Sequence, residues 1–193
     1  VQNILQSGQR GAAIIQDLLT LARRNVDKSE AVNLNSVVSD YFKAPEFEML
    51  KASHPGVIFE VNLEENLLNL KGSPLHLGKT VMNLVANAAE AITEGGQIIV
   101  STTNRYLDIP LHGYDNMEEG DYAVLTVADN GKGIPQADIG KIFEPFYTRK
   151  VMGRSGTGLG LAVVWGTVKD HRGYIDVTSE EGKGSLFTLY FPV

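Results

Sequence analysis

The stretch 81-VMNLVANAAEAI-92 decides how this chain folds. Val81, Leu84, Val85, Ala88, Ala89 and Ile92 recur at helical spacing, so the segment belongs to a helix with one buried face. Asn83, Asn87 and Glu90 fall at i, i+4 and i+7 on the opposite face, with Lys79 one turn earlier. A polar stripe is ordinarily just the solvated side of a helix. Two asparagines are unusual there, because Asn is a poor helix former. Its amide oxygen is also a neutral ligand for a hard cation such as Mg²⁺, which keeps several waters and shares the phosphates of its nucleotide. Ser73 as N-cap and Pro74 at the first helical position start the helix, and Gly95-Gly96 end it, for a span of 74–93.

Outward from that helix the elements alternate. The pattern predicts a helix over 36–53, a strand over 57–63, and strands over 97–103 and 122–128 separated by an irregular stretch around His112. A helix over 157–170 leads into strands 173–178 and 185–191. Strands adjacent in sequence can pair antiparallel with the helices gathered on one face, which is an α+β fold, a two-layer sandwich. Ahead of it, Val1, Leu5, Gly8, Ala12, Ile15, Leu19 and Ala22 alternate steps of four and three, the seam spacing of a long helix over 1–24. Ile4, Gly11 and Leu18 widen the seam toward a bundle. A solitary helix of this length is marginal in water, so it expects partners or folds back on the following domain. The polar segment 25–35 reads as a linker.

Composition narrows the classes. With 43% hydrophobic and 21% charged residues the chain is globular rather than disordered. Seventeen Lys+Arg against 23 Asp+Glu give a net charge of −6, and without a basic stripe this argues against a nucleic-acid partner. There is no cysteine, which excludes disulfides and thiol catalysis and fits a reducing, cytoplasmic setting. No apolar run approaches the roughly 18 residues of a membrane span. The chain opens at Val1 with no initiator Met or signal peptide, which reads as a fragment of something longer.

Two glycine clusters follow. In 129-DNGKGIP-135, Gly131 and Gly133 come directly after a strand, where glycine lets backbone approach a ligand. Asp129 at the strand end can accept from an exocyclic amine. An Asn-Gly turn has the same composition. In 156-GTGLGLAVVWG-166, Gly156, Gly158 and Gly160 precede an apolar helix, whose free N–H groups make an anion site. The preceding stretch holds Arg149, Lys150 and Arg154, which suits a cationic lid over a polyphosphate or a solvated loop. Two decoys fail. Gly78-Lys79-Thr80 is not a P-loop, because five residues including Pro74 separate Gly72 from Gly78 and Lys79 lies inside a helix. The glycines at 156–160 follow no strand, so they are not a dinucleotide fingerprint.

In order and spacing together, these clusters resemble the catalytic, ATP-binding domain of two-component sensor histidine kinases, whose fold (the Bergerat fold) is shared with gyrase, heat-shock chaperone and mismatch-repair ATPases. The resemblance covers residues 33–193, and it likens 1–25 to the second helix of a dimerisation domain, with 26–32 as linker. It implies Asn87 as the Mg²⁺ ligand with Asn83 facing the phosphates. It implies Asp129, with Gly131, Gly133 and Ile134, against adenine. Phe143 and Phe146 match the F box, and Gly156, Thr157, Gly158, Leu159 and Gly160 the second glycine box. Ser185 stands where the family usually has threonine near adenine. Glu90 stands where one branch has a basic residue, so Lys150 must carry the phosphate neutralisation, as in nitrogen-sensor-like and hybrid kinases.

The hydrolytic members of the fold carry a glutamate base one turn before the metal-binding asparagine. Here that position is Asn83, which cannot take up a proton. The family's acceptor histidine lies on a first dimerisation helix, and none of His54, His76, His112 and His171 sits in such a helix. His171 matches a family position at a helix end, with a structural role. The resemblance thus implies ATP and Mg²⁺ as ligands and transfer of the γ-phosphoryl to a histidine outside this chain. A homodimer and a response-regulator receiver domain are the implied partners. ATP hydrolysis and nucleotide-dependent docking without catalysis are the rival functions.

Overall fold

The computed structural model describes residues 30–108, 117–148 and 157–193, together with Gly11 and Ile15, which are helical. Most of the helix expected over 1–24, the stretch around His112 and the basic segment 149–156 lie outside the described residues.

A short strand opens the domain. β1 (Glu30–Val32) pairs antiparallel with β3 (Leu70–Gly72), so residues 30–32, expected as linker, belong to the folded unit. Asn33 then caps α1 (Leu34–Phe42), its side chain accepting from the Asn35 N–H at 3.0 Å. The single helix expected over 36–53 is two. Pro45 has no N–H to continue α1 and disfavours helical backbone at Ala44, so the chain breaks and restarts as α2 (Pro45–Ser53). Phe47 of α2 packs on Phe42 and Phe59, with ring centroids 4.5 and 5.0 Å away.

The main sheet contains β2 (Val57–Asn62), β4 (Gly96–Leu107), β5 (Gly120–Asp129), β6 (Tyr174–Glu180) and β7 (Gly184–Pro192), in the order β2-β4-β5-β7-β6. The sequence-adjacent pairings β4/β5 and β6/β7 are antiparallel as expected, and β5 pairs antiparallel with β7 rather than with its sequence neighbour β6. β2/β4 is parallel, because the intervening helix α3 (Pro74–Ala91) carries the chain back to the end from which β2 started. Helix α4 (Gln136–Ile139) is a single turn, and α5 (Gly160–Asp170) starts three residues later than expected.

One face of the sheet carries the core. Leu77, Val81, Leu84, Val85 and Ala89 of α3 are at most 1% exposed and join Ile98, Val100, Leu125 and Leu189 of the sheet in one cluster. Val164 and Val168 of α5 enter the same cluster, so α3 and α5 lie side by side over the strands. The expected two-layer α+β sandwich is the observed architecture. Register fixes what this architecture exposes at one sheet edge. Asp129 pairs with Ser185, and Ser185 with Ser179, so three polar residues form one row across β5, β7 and β6.

Leu84 lies at the centre of this packing at 1% exposure. Leu84→Ala should cost about 2–5 kcal/mol in unfolding free energy, measured by urea denaturation. A loss below about 1 kcal/mol would mean that the helix is not held by this face.

Candidate functional site

A cavity of about 570 Å³ opens between α3, the segments 129–148 and 157–161, and the adjoining ends of β6 and β7 at Glu181 and Ser185, within the usual range for small-ligand sites. α3 contributes one wall. Asn83, Asn87 and Glu90, expected on one helix face, all line it. The Asn83 side chain donates to the Gly160 carbonyl at 3.2 Å, tying α3 to the start of α5. The Asn87 side chain makes no hydrogen bond to another described residue, so its amide is available to a ligand.

The opposite end is the row of Asp129, Ser185 and Ser179. Asp129 Oδ1 accepts from the Gly131 N–H at 2.8 Å, which closes the first glycine turn on the carboxylate. Ser185 also donates to Asp129 through its backbone and its side chain. Burial pushes the Asp129 carboxyl above its ordinary value, and the bonds from Gly131 and Ser185 oppose that rise. Ser179 Oγ accepts from the Ile134 N–H and donates to the Gly184 carbonyl, both at 2.8 Å, and lies 3.0 Å from Ser185 Oγ. Gly133 sits at φ +67°, and a Cβ there would collide with the Glu180 carbonyl, so this turn requires glycine.

The third wall is the mouth of α5. No side chain caps this helix through Leu159, so its first N–H groups remain for an anion. Thr157, Gly158 and Gly160 line the cavity. Gly158 has φ +70°, and a Cβ would lie 2.6–2.7 Å from Phe146 backbone. Phe146, itself at φ +66°, donates its N–H to the Gly158 carbonyl at 2.9 Å. The two segments that flank residues 149–156 are thus stitched at the base.

The expected site residues divide into three groups. Asn83, Asn87, Asp129, Gly133, Ile134, Thr157, Gly158, Gly160 and Ser185 line one cavity. Gly131, Leu159, Phe143 and Phe146 do not: Gly131 holds Asp129, Leu159 is fully buried, and Phe146 is 62% exposed. Phe143 stacks on Trp165 at 5.0 Å. Lys150 and Gly156 lie outside the described residues. Lys132, Asp138, Tyr147, Thr148 and Glu181 also line the cavity and were missed. Lys132 stood in plain view between the two glycines, whereas Glu181 arrives through the β6–β7 turn, which no motif marks. His171 is buried and touches no part of the cavity.

A partly buried carboxylate at one end of a cavity, with uncapped helix N–H groups and an unbonded helical amide at the other, defines a site for a nucleotide with its phosphates. Residues 72–193 match the family model described as histidine kinase-, DNA gyrase B-, and HSP90-like ATPase. The chain belongs to that family, and its fold is a nucleotide-binding one. It is 36% identical over its whole length to the sensor kinase CckA of Brucella abortus, of which it covers 20%. It is 31% identical to the sensor histidine kinase ZraS of Escherichia coli, of which it covers 37%. The chain therefore spans well under half the length of these relatives. Among solved structures, the catalytic domain of histidine kinase ThkA superposes with a TM-score of 0.67 at 25% identity, over 86% of this chain and 95% of that one. The mycobacterial sensor histidine kinase MprB gives 0.63 at 25% identity, over 85% and 97%.

Because its carboxyl is raised in the folded state, the native state binds more protons than the unfolded one between the two values, so this group adds stability as pH falls through that window. Asp129→Asn should remove that share of the pH dependence of the ligand-free melting temperature and weaken adenine nucleotides more than bare triphosphate; an unchanged pH dependence would refute the burial argument.

Proposed function

We propose that the cavity binds ATP·Mg²⁺ and presents its γ-phosphoryl to a histidine on a dimerisation helix of a longer protein. The phosphoryl then passes to an aspartate of a response-regulator receiver domain. The observation that carries this is the joining of two unlike ends in one cavity: the partly buried Asp129 with its donor Ser185, and Asn87 with the uncapped mouth of α5. Adenine fits the first end, its exocyclic amine donating to Asp129. The triphosphate fits the second, where backbone N–H groups meet anionic oxygens.

The donor set suits Mg²⁺. Among the described residues no group of three His, Cys, Asp or Glu could hold a metal alone. Asn87 would supply one neutral oxygen, which suits a hard cation that takes its other ligands from phosphates and water. When bound, the ion neutralises charge on the triphosphate. In the transfer the bond from γ-phosphorus to its bridging oxygen breaks, leaving ADP. The imidazole nitrogen that carries the free lone pair forms the new bond in line, and the proton on the other ring nitrogen is released. The chain's own residues orient the donor and exclude water, since phosphoryl transfer demands positioning more than covalent help. Asn83 is engaged with Gly160 and has no basic lone pair, which supports transfer to histidine over hydrolysis. We assign phosphate neutralisation to Lys150, residues 1–25 to a dimerisation helix of a homodimer, and the parent to the nitrogen-sensor-like or hybrid branch with this domain cytoplasmic. No helix among the described residues is long and apolar enough to cross a membrane.

Two measurements test this. With Mg²⁺ and ADP at about 100 times the dissociation constant, the melt should gain roughly 2.7 kcal/mol of stability, and Asn87→Ala should remove the Mg²⁺-dependent part. The full-length parent incubated with γ-labelled ATP should acquire an acid-labile phosphohistidine that Asn87→Ala abolishes. Absence of any nucleotide shift at millimolar concentration would defeat the ATP site, and steady ATP hydrolysis without histidine labelling would favour the hydrolytic function.

A further inference from the structure

His171 is a buried titratable side chain that the chemistry above does not use, 7% exposed at the C-cap of α5. Its ring has a partner on each side. Nε2 accepts the Ser73 N–H at 2.9 Å, so the proton sits on Nδ1, which donates to the Thr167 carbonyl at 2.7 Å. Ser73 is the N-cap of α3, and its own side chain makes no capping bond. Thr167 lies in the last turn of α5, where its carbonyl accepts the His171 backbone N–H at 3.1 Å and takes the ring as a second donor. One neutral imidazole therefore joins the start of α3 to the end of α5. The ring is fixed in place: it packs edge-to-face on Phe191 with centroids 6.0 Å apart, and a Cβ on Gly72 would lie 2.6 Å from Nε2.

A further polar link between these helices is Asn83 to Gly160, in the wall of the cavity. Together the two links show that the helices run antiparallel and set their register from both ends. α3 is also held independently of α5, because the Lys132 N–H donates to the Ala91 carbonyl at 3.0 Å, fastening its C-terminal end to the glycine turn after Asp129. Loss of the His171 link would leave α3 seated on that turn and free α5 to shift, carrying residues 157–160 away from Asn87.

We propose that His171 is a positioning residue for the phosphate end of the nucleotide: by bridging Ser73 and Thr167 it sets the distance between Asn87 and the mouth of α5, without touching the ligand. This rests on the assignment of that end to phosphates.

The test compares Mg²⁺·ADP with adenosine by calorimetric titration, well below each variant's melting temperature. His171→Ala and His171→Asn, which offer Ser73 no acceptor at the Nε2 distance, should weaken Mg²⁺·ADP by about ten- to a hundredfold and leave adenosine unchanged. His171→Gln, which places an amide oxygen near the Nε2 position, should recover most of the loss. A lowered melting temperature with both ligands bound as in wild type, or both weakened equally, would overturn the proposal. If the variants do not fold, the wild-type protein decides by NMR. Mg²⁺·ADP should shift the Ser73 amide and the His171 ring nitrogens where adenosine does not, and equal shifts with both ligands would refute the proposal. If wild type binds adenosine as tightly as Mg²⁺·ADP, the phosphate assignment itself falls, whatever His171 does.

Discussion

Burial of one face of α3 against the sheet is the constraint on which the site depends. Val81, Leu84, Val85 and Ala88 must point at the strands to escape water, and with 3.6 residues per turn that forces Asn83, Asn87 and Glu90 outward into the cavity. The ligand-facing side chains are thus aimed by the hydrophobic effect acting on their neighbours. The cost of exposing an asparagine-bearing helix face is small, whereas rotating the helix would drown several fully buried side chains. Function is carried on the cheap side of an expensive interface.

The sheet imposes the second constraint. Its pairing register places Asp129, Ser185 and Ser179 in one row, so the position of the Asp129 carboxylate is set by hydrogen-bond register rather than by loop conformation. That carboxylate is partly buried and held above its ordinary ionisation range. The fold tolerates this because Gly131 and Ser185 donate to it, and because a ligand amine would add a further donor. At the other end the same economy recurs in reverse. α5 lacks a side-chain cap, leaving N–H groups that a triphosphate would satisfy.

Most of this was legible in the sequence where periodicity or a dipeptide carried it. The 3.6-residue pattern of 81–92 disclosed both faces of α3, and the glycine spacings located the two turns that line the cavity. What escaped notice was tertiary. β1 and β3 are three-residue strands without an alternating pattern of their own, and they exist because each pairs with the other. The parallel β2/β4 pairing follows from where α3 returns the chain, which adjacency in sequence does not encode. The break before Pro45 was readable from the proline alone. The partners of His171 lie 98 residues away at Ser73 and four away at Thr167, so only the fold reveals that one ring serves both.

On the function proposed above, one cavity holds adenine at Asp129 and metal-bound phosphates at Asn87. A crystal structure of this chain with Mn²⁺ and a non-hydrolysable ATP analogue tests it directly, because anomalous scattering locates the ion without reference to any assigned ligand. The account predicts an anomalous peak at the Asn87 amide oxygen, phosphates over residues 157–160 and the adenine amine on Asp129. An ion bound away from Asn87, or a base and triphosphate in the reverse orientation, would contradict it.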